Sequence, residues 1–387
     1  MHSTPQPFAL KVPEAVLDDL RQRLARTRLP DEPPLAPWST GTSVAYMREL
    51  LAYWHEGFDW RTQEARLNAF RQFTVPLAGI DLHFIHEPGK GPRPLPLLLS
   101  HGWPGSVWEF HRLIPMLTDP ARFGGDPADA FTVVAPSLPG YTLSFQPGQK
   151  RFSIEEIGEV FATLMTDVLG YQRFAAQGGD WGAFITSRLG YQFAQRMIGI
   201  HVNMLAVGRD PKMLASPTPE EQIFLQQLEH FLKEETGYQW IQGTRPTTLA
   251  FGLTDSPAGL AAWIVEKFYA WTDNDGNPDG ALSRDDMLAN IMLYWASGAI
   301  GSSFWPYYAR MHGPWPIPKG ATVSVPTGYV EFPREILRPP RSVAQRVYTD
   351  IRRWTVMPKG GHFAALEQPE ALAHEVREFF RPLREQR

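Results

Sequence analysis

At 387 residues, 43% of them hydrophobic and 20% charged, the chain has the composition of a globular protein able to bury a large core. Lys and Arg total 37 against 41 Asp and Glu, a net charge of −4 with no basic stripe, so nucleic acid and acidic membrane surfaces are not the expected partners. Cys is absent, which excludes disulfides, thiol nucleophiles and thiolate metal sites and fits a reducing, cytoplasmic setting. The sequence shows no secretory leader and no run near the ~18 apolar residues of a membrane span, so a soluble protein without an anchor is expected.

Val12, Val16, Leu17, Leu20 and Leu24 predict a helix over 11–28, and Pro and Gly break the pattern over 29–41. Val44, Met47, Leu50, Leu51 and Trp54 predict a second helix over 43–55. Residues 1–70 thus read as a helical arm without a core of its own. Segments 71–77 and 80–86 alternate with period two around Ala78-Gly79, which predicts a hairpin. Short apolar runs follow at 95–100, 131–135, 174–178 and 199–203, with helices expected at 106–117, 153–168 and 182–194. Runs alternating with helices predict an α/β fold with a mostly parallel sheet covered on both faces. The alternation stops over 205–320, which reads as a helical lid. It resumes with strands at 321–327 and 352–358 and a helix at 369–380. The core is therefore expected in two parts, 71–204 and 321–387.

Residues 178–182 read Gly-Gly-Asp-Trp-Gly, between a predicted strand and a predicted helix. This small-x-nucleophile-x-small pattern is that of the nucleophile elbow of the α/β-hydrolase fold, with Asp180 in the place usually held by Ser. Taken alone, Asp180 reads equally well as a helix N-cap. Two distant segments favour the elbow. His101-Gly102-Trp103-Pro104-Gly105-Ser106 follows a strand where this fold supplies an oxyanion donor, which assigns the backbone N–H groups of Trp103 and Trp181. His362, in Gly360-Gly361-His362-Phe363 after the last strand, stands where the general base belongs. Glu331 and Glu335 both follow the strand at 321–327, and spacing does not choose between them. Ser106 reads as a helix cap rather than a second nucleophile.

A carboxylate is a poor nucleophile toward esters but can open a strained or activated bond at sp³ carbon, leaving an ester on the enzyme. A halide leaves unaided, whereas an epoxide oxygen needs a proton, which a buried Tyr can give. Tyr238, Tyr269, Tyr294, Tyr307 and Tyr308 are the lid candidates.

The chain resembles the epoxide hydrolases of the microsomal type over most of its length. The arm (PFALKVPEAVLDDLRQRLARTRLP), HGWPGS at 101–106, GGDWG at 178–182, TGYQWIQGTRP at 236–246, DSPAGLAAWIVEKF at 255–268 and GGHFAALEQPE at 360–370 carry the resemblance. It implies Asp180 as nucleophile and His362 as base. The family's Phe-Pro-x-acid pattern on Phe332-Pro333-Arg334-Glu335 implies Glu335 as the acid, and the lid matches imply Tyr238 and Tyr307 as proton donors, with Tyr308 adjoining the second. Neither cofactor nor metal is implied; the partners are water and an epoxide, which Trp103, Trp181, Phe304 and Trp305 suggest is apolar or aromatic. A homodimer is the commonest assembly and is the expectation here.

Two other readings remain. Haloalkane dehalogenases also carry an Asp-Trp elbow, but usually place Asn where this chain has Trp103. An inactive binding protein on the same fold would be expected to lose Asp180, His362 or the tyrosines. The acidic run at 273–286 lacks the Gly and Glu of a calcium loop and reads as a solvated lid loop.

Overall fold

A computed structural model describes residues 4–208 and 215–386. Residues 209–214, at the start of the predicted lid, lie outside the described residues. Among the described residues the sheet has nine strands: β1 (Gln6–Phe8), β2 (Gln72–Leu77), β3 (Ile80–Glu87), β4 (Leu95–Ser100), β5 (Phe131–Pro136), β6 (Phe174–Gly178), β7 (Met197–Val202), β8 (Thr327–Glu331) and β9 (Ile351–Val356). Their order is β1-β2-β3-β5-β4-β6-β7-β8-β9. The first three join the sheet antiparallel, and β5 through β9 run parallel. The chain is an α/β-hydrolase fold. Because β5 and β6 flank β4 on opposite sides, the connections leaving β4 and β6 diverge. Ligands of open parallel sheets bind in the crevice that such a reversal opens at the carboxyl ends of the strands. Ser100 lies level with Gly178, so the Trp103 loop and the Asp180 turn emerge side by side into that crevice.

Helix α1 (Glu14–Ala25) and α2 (Val44–Glu56) form the arm, with a third, unforeseen helix α3 (Trp60–Asn68). Leu17, Leu20, Leu24, Leu50 and Trp54 are buried in the same core as the sheet, which is why the arm needs no core of its own. Its polar groups reach the helical block: Tyr46 donates to Asp279 at 2.6 Å, Tyr53 to Asp285 at 2.6 Å, and Arg23 pairs with Asp255 at 2.8 Å. The acidic run of 273–286 is thus partly engaged in holding the arm rather than left to solvent.

Two predicted elements shift, each at a proline. The helix expected over 106–117 splits into a 3₁₀ turn at Val107–Phe110 and α4 (Leu113–Thr118). Pro115 has no N–H to continue a helix from the preceding turn, and it sits in the first turn of α4, where none is needed. The strand expected at 321–327 is β8 at Thr327–Glu331, and Val323 makes only an isolated bridge to Tyr348. Pro326 cannot donate to a ladder, so regular pairing starts after it. Beyond β5 and β6 follow α5 (Ile154–Thr163) and α6 (Trp181–Gln192). Between β7 and β8 lie α7 (Pro219–Glu234), α8 (Gly237–Thr244), α9 (Pro246–Asp255), α10 (Pro257–Trp271), α11 (Arg284–Ser297) and α12 (Trp305–His312); α13 (Pro369–Phe380) closes the chain. Among the described residues no helix is long and apolar enough to cross a membrane.

Candidate active site

The turn from β6 into α6 is too tight for side chains at its flanks. A Cβ on Gly178 would lie 2.2 Å from the Gly182 carbonyl oxygen, and one on Gly182 would lie 1.9 Å from that of Ser100. Asp180 takes φ 49° and ψ −132°, a conformation an L side chain rarely adopts and which costs of order 1–3 kcal/mol. The two sequence readings of Asp180 separate here. Its carboxylate makes no capping bond to α6. Instead Oδ1 accepts the backbone N–H of Trp103 at 2.8 Å. Trp181 opens α6, so its N–H has no partner within the helix and points the positive end of α6 at the same region.

His362 Nε2 stands 3.3 Å from Asp180 Oδ2, and Nδ1 stands 2.5 Å from Glu335 Oε1. The acid reaches the base because the loops after β8 and β9 pair with each other. Arg334 N–H donates to the Gly360 carbonyl at 3.1 Å, and Arg334 bridges Gly361. Gly360 has φ 105°, and a Cβ on Gly361 would lie 2.4 Å from the Trp271 carbonyl. Two glycines therefore let the loop turn sharply against α10, where the Trp271 carbonyl accepts the His362 N–H at 2.8 Å. Glu331, at the end of β8, is half-buried, whereas the Glu335 carboxyl is fully enclosed and also accepts the Ile336 N–H at 2.8 Å. Of the two carboxylates, Glu335 meets the imidazole.

Burial alone would lower the proton affinity of His362, but the flanking carboxylates of Glu335 and Asp180 outweigh it and hold its pKa well above the usual value.

The helical block brings an aromatic wall over Asp180. Tyr238 on α8 stacks on Trp103 with ring centroids 5.3 Å apart, and Tyr307 on α12 meets Trp103 edge-on at 5.8 Å and Trp181 at 4.8 Å. The two tyrosine rings are 5.6 Å apart, and Phe304 packs edge-on to Trp103 at 6.1 Å. Burial first, and then the Asp180 charge, push the pKa of Tyr238 well up, and the same causes with Tyr238 added raise Tyr307. Both hydroxyls therefore keep their protons at neutral pH. Trp305 lies elsewhere. It stacks on Tyr308 at 4.8 Å, half-buried and outside this wall, because positions 305 and 308 share the face of α12 opposite Tyr307. Tyr308 goes with it, stacked also on His312. Ser106 caps the turn at Val107, accepting the Trp108 N–H at 3.2 Å and donating to Asn290 at 2.7 Å.

Residues 5–110 match the family model for the epoxide hydrolase N terminus, and residues 96–238 match that for the alpha/beta hydrolase fold. A protein of Stigmatella aurantiaca (strain DW4/3-1), assigned by name to the epoxide hydrolases, is 44% identical over 98% of this chain and 85% of its own length. The chain belongs to the epoxide hydrolase family. Epoxide hydrolase 1 of Oryctolagus cuniculus is 36% identical, with 97% of this chain and 88% of that one covered. The crystal structure of the juvenile hormone epoxide hydrolase of the silkworm Bombyx mori superposes with a TM-score of 0.86 at 30% identity, covering 100% of this chain and 96% of that one. The protein is thus a hydrolase of the epoxide hydrolase family.

Two residues of this epoxide hydrolase family member stand at the centre without having been singled out from the sequence. Trp271, at the end of α10, packs 5.1 Å from the His362 ring and 5.3 Å from Tyr238. Its only signal was a buried position in a helical period, which most core tryptophans share. Glu109 lines the cavity beside Asp180 and His362. In sequence it is an acidic residue in a predicted helix, where a solvated face is the ordinary reading.

Proposed function

We propose that this enzyme opens an epoxide to a vicinal diol in two steps, through an ester on Asp180. The observation that carries the reading is the placing of the two carboxylate oxygens: Oδ1 is held by the Trp103 N–H and Oδ2 is left facing His362. Oδ2 attacks an epoxide carbon from behind, the C–O bond breaks, and Tyr238 or Tyr307 protonates the departing oxygen. Water, deprotonated by His362, then attacks Cγ. The negative charge that develops on Oδ1 falls between the N–H groups of Trp103 and Trp181. Collapse breaks the Cγ–Oδ2 bond. The diol leaves with one proton of the water, and the other restores the tyrosine.

The electrostatics give the steps an order. An imidazole held protonated by two carboxylates is no base. Esterification removes the Asp180 charge and lowers the proton affinity of His362, whose proton passes to bulk water and is regained once the diol has left, so the base turns on when the ester exists. Asp180→Asn, which mimics that loss of charge, is expected to lower the His362 pKa. Imidazole NMR titration of both proteins reads this, and an unchanged titration would remove Asp180 from the coupling.

The helices between β7 and β8 act as the lid, with boundaries near 205 and 320, in front of a core contributed by 71–204 and 321–387 and wrapped by 1–70. The wall of Trp103, Trp181, Phe304 and Trp271 favours bulky apolar or aromatic epoxides. A single turnover of styrene oxide in ¹⁸O-water, with enzyme in excess, tests the scheme. Unlabelled diol is expected, because its new oxygen comes from Asp180. Diol carrying ¹⁸O would mean direct attack by water. No diol, with halide released from a haloalkane, would move the reading to dehalogenation.

A further inference from the structure

Glu109 is a third carboxyl group at the centre, and the two-step scheme gives it nothing to do. It sits on the 3₁₀ turn Val107–Phe110, just beyond the Trp103 loop. Its carboxyl reaches back across that loop, so far that a Cβ on Gly105 would fall 1.5 Å from Glu109 Oε1. Glycine at 105 is what leaves it room.

Glu109, Asp180 and His362 line one small cavity together with Ser100, Gln177 and Asn203. It offers ≈ 20 Å³ of space for a water centre, enough for about one molecule. Trp103 borders it, but Tyr238, Tyr307, Trp181 and Phe304 do not line it, so it is distinct from the face of the aromatic wall where the epoxide would be protonated. Its lining residues also carry three buried polar atoms without a protein partner, the Ser100 hydroxyl, Gln177 Oε1 and Trp103 Nε1. A buried polar site of this size with several groups to satisfy is built for water rather than for an apolar ligand.

We propose that Glu109 and His362 hold the hydrolytic water in this chamber, His362 Nε2 taking one of its protons and the Glu109 carboxyl accepting a hydrogen bond from the other. The proposal rests on the ester reading above. As the water oxygen bonds to Cγ, the Cγ=Oδ1 electron pair moves onto Oδ1 and one proton passes to Nε2. On collapse the Cγ–Oδ2 bond breaks and the leaving alkoxide takes that proton back. Glu109 ends the step protonated as it began and serves to aim the oxygen. Burial pushes the Glu109 carboxyl up to about 8, His362 draws it down and the Asp180 charge raises it again. Esterification removes the Asp180 contribution, so the group turns more acidic in the half-reaction where it would face an imidazolium.

The test follows the ester through a single turnover of styrene oxide by rapid quench and intact-protein mass, in wild type, Glu109→Leu and Glu109→Gln. The expected result is an ester that rises at the wild-type rate and decays roughly 10- to 100-fold more slowly in Glu109→Leu, with Glu109→Gln, whose amide oxygen can still accept, close to wild type. An unchanged rise shows that the fold, Asp180 and the lid are intact in the variant. Decay of the Glu109→Leu ester at the wild-type rate overturns the proposal, and so does an equal slowing of rise and decay, which would mark Glu109 as merely structural. Absence of any ester in wild type and in His362→Gln would overturn the ester reading itself, and this proposal with it.

Discussion

His362→Gln is expected to consume one epoxide per active site and then stop. Alkylation needs only Asp180 Oδ2 and a proton donor, and neither is the imidazole. Hydrolysis of the ester needs a base at the position Nε2 occupies, 3.3 Å from Oδ2. Loss of a member of a catalytic unit lowers kcat by about 10⁴ or more. Intact-protein mass should rise by one epoxide, and the adduct should map to the peptide holding Asp180. Glutamine is the replacement of choice because the Glu335 carboxyl has no solvent access and Nδ1 is its partner. An amide can still donate to it, whereas a bare cavity would leave a buried charge alone at a cost of about 3–5 kcal/mol. A His362→Gln protein that melts like wild type yet takes up no epoxide would remove the ester from the mechanism.

Removing the tyrosine hydroxyls should give the opposite pattern. Tyr307→Phe or Tyr238→Phe keeps the ring contacts with Trp103 and deletes only the donor. Ester formation is expected to slow by roughly 10²-fold in each and further in the double variant, since proton donation by a placed side chain contributes ~10²–10⁴. Ester decay should hardly change. The measurement is again the rapid-quench rise of the adduct. A double variant that forms ester at the wild-type rate would leave the leaving oxygen with another acid and reopen the case for a substrate that needs none. Tyr308→Phe is the internal control, because Tyr308 lies stacked on Trp305 and His312 outside the wall.

The sequence supplied the elbow almost whole. Glycines at 178 and 182 around an acid, between an apolar run and an amphipathic one, leave few structures open, because the clash that excludes side chains there is local. The strands at 95–100 and 174–178 were legible for a related reason: runs buried on both faces are apolar throughout and short. Helix α3 was hidden because its buried positions include Gln63 and Glu64, so the periodicity that marks a helix was carried partly by polar residues. Strand β1 has only three residues, too few for alternation to register. At Pro115 and Pro326 the apolar pattern ran on while the backbone could not.

What the sequence determined by itself was the fold class, the tight turn at 178–182 and the loops that meet it, all set by sterics and periodicity within a few residues. What only the tertiary structure decided was which side chains converge. Glu335 rather than Glu331 meets His362 because two loops from separate strands pair at Arg334 and Gly361. Tyr307 rather than Trp305 or Tyr308 faces Trp103 because of how α12 is turned against the core. Glu109 joins the centre only because Gly105 lets its carboxyl cross the loop. Each of these contacts links atoms through the packing of distinct elements, and spacing along a chain carries no measure of that distance.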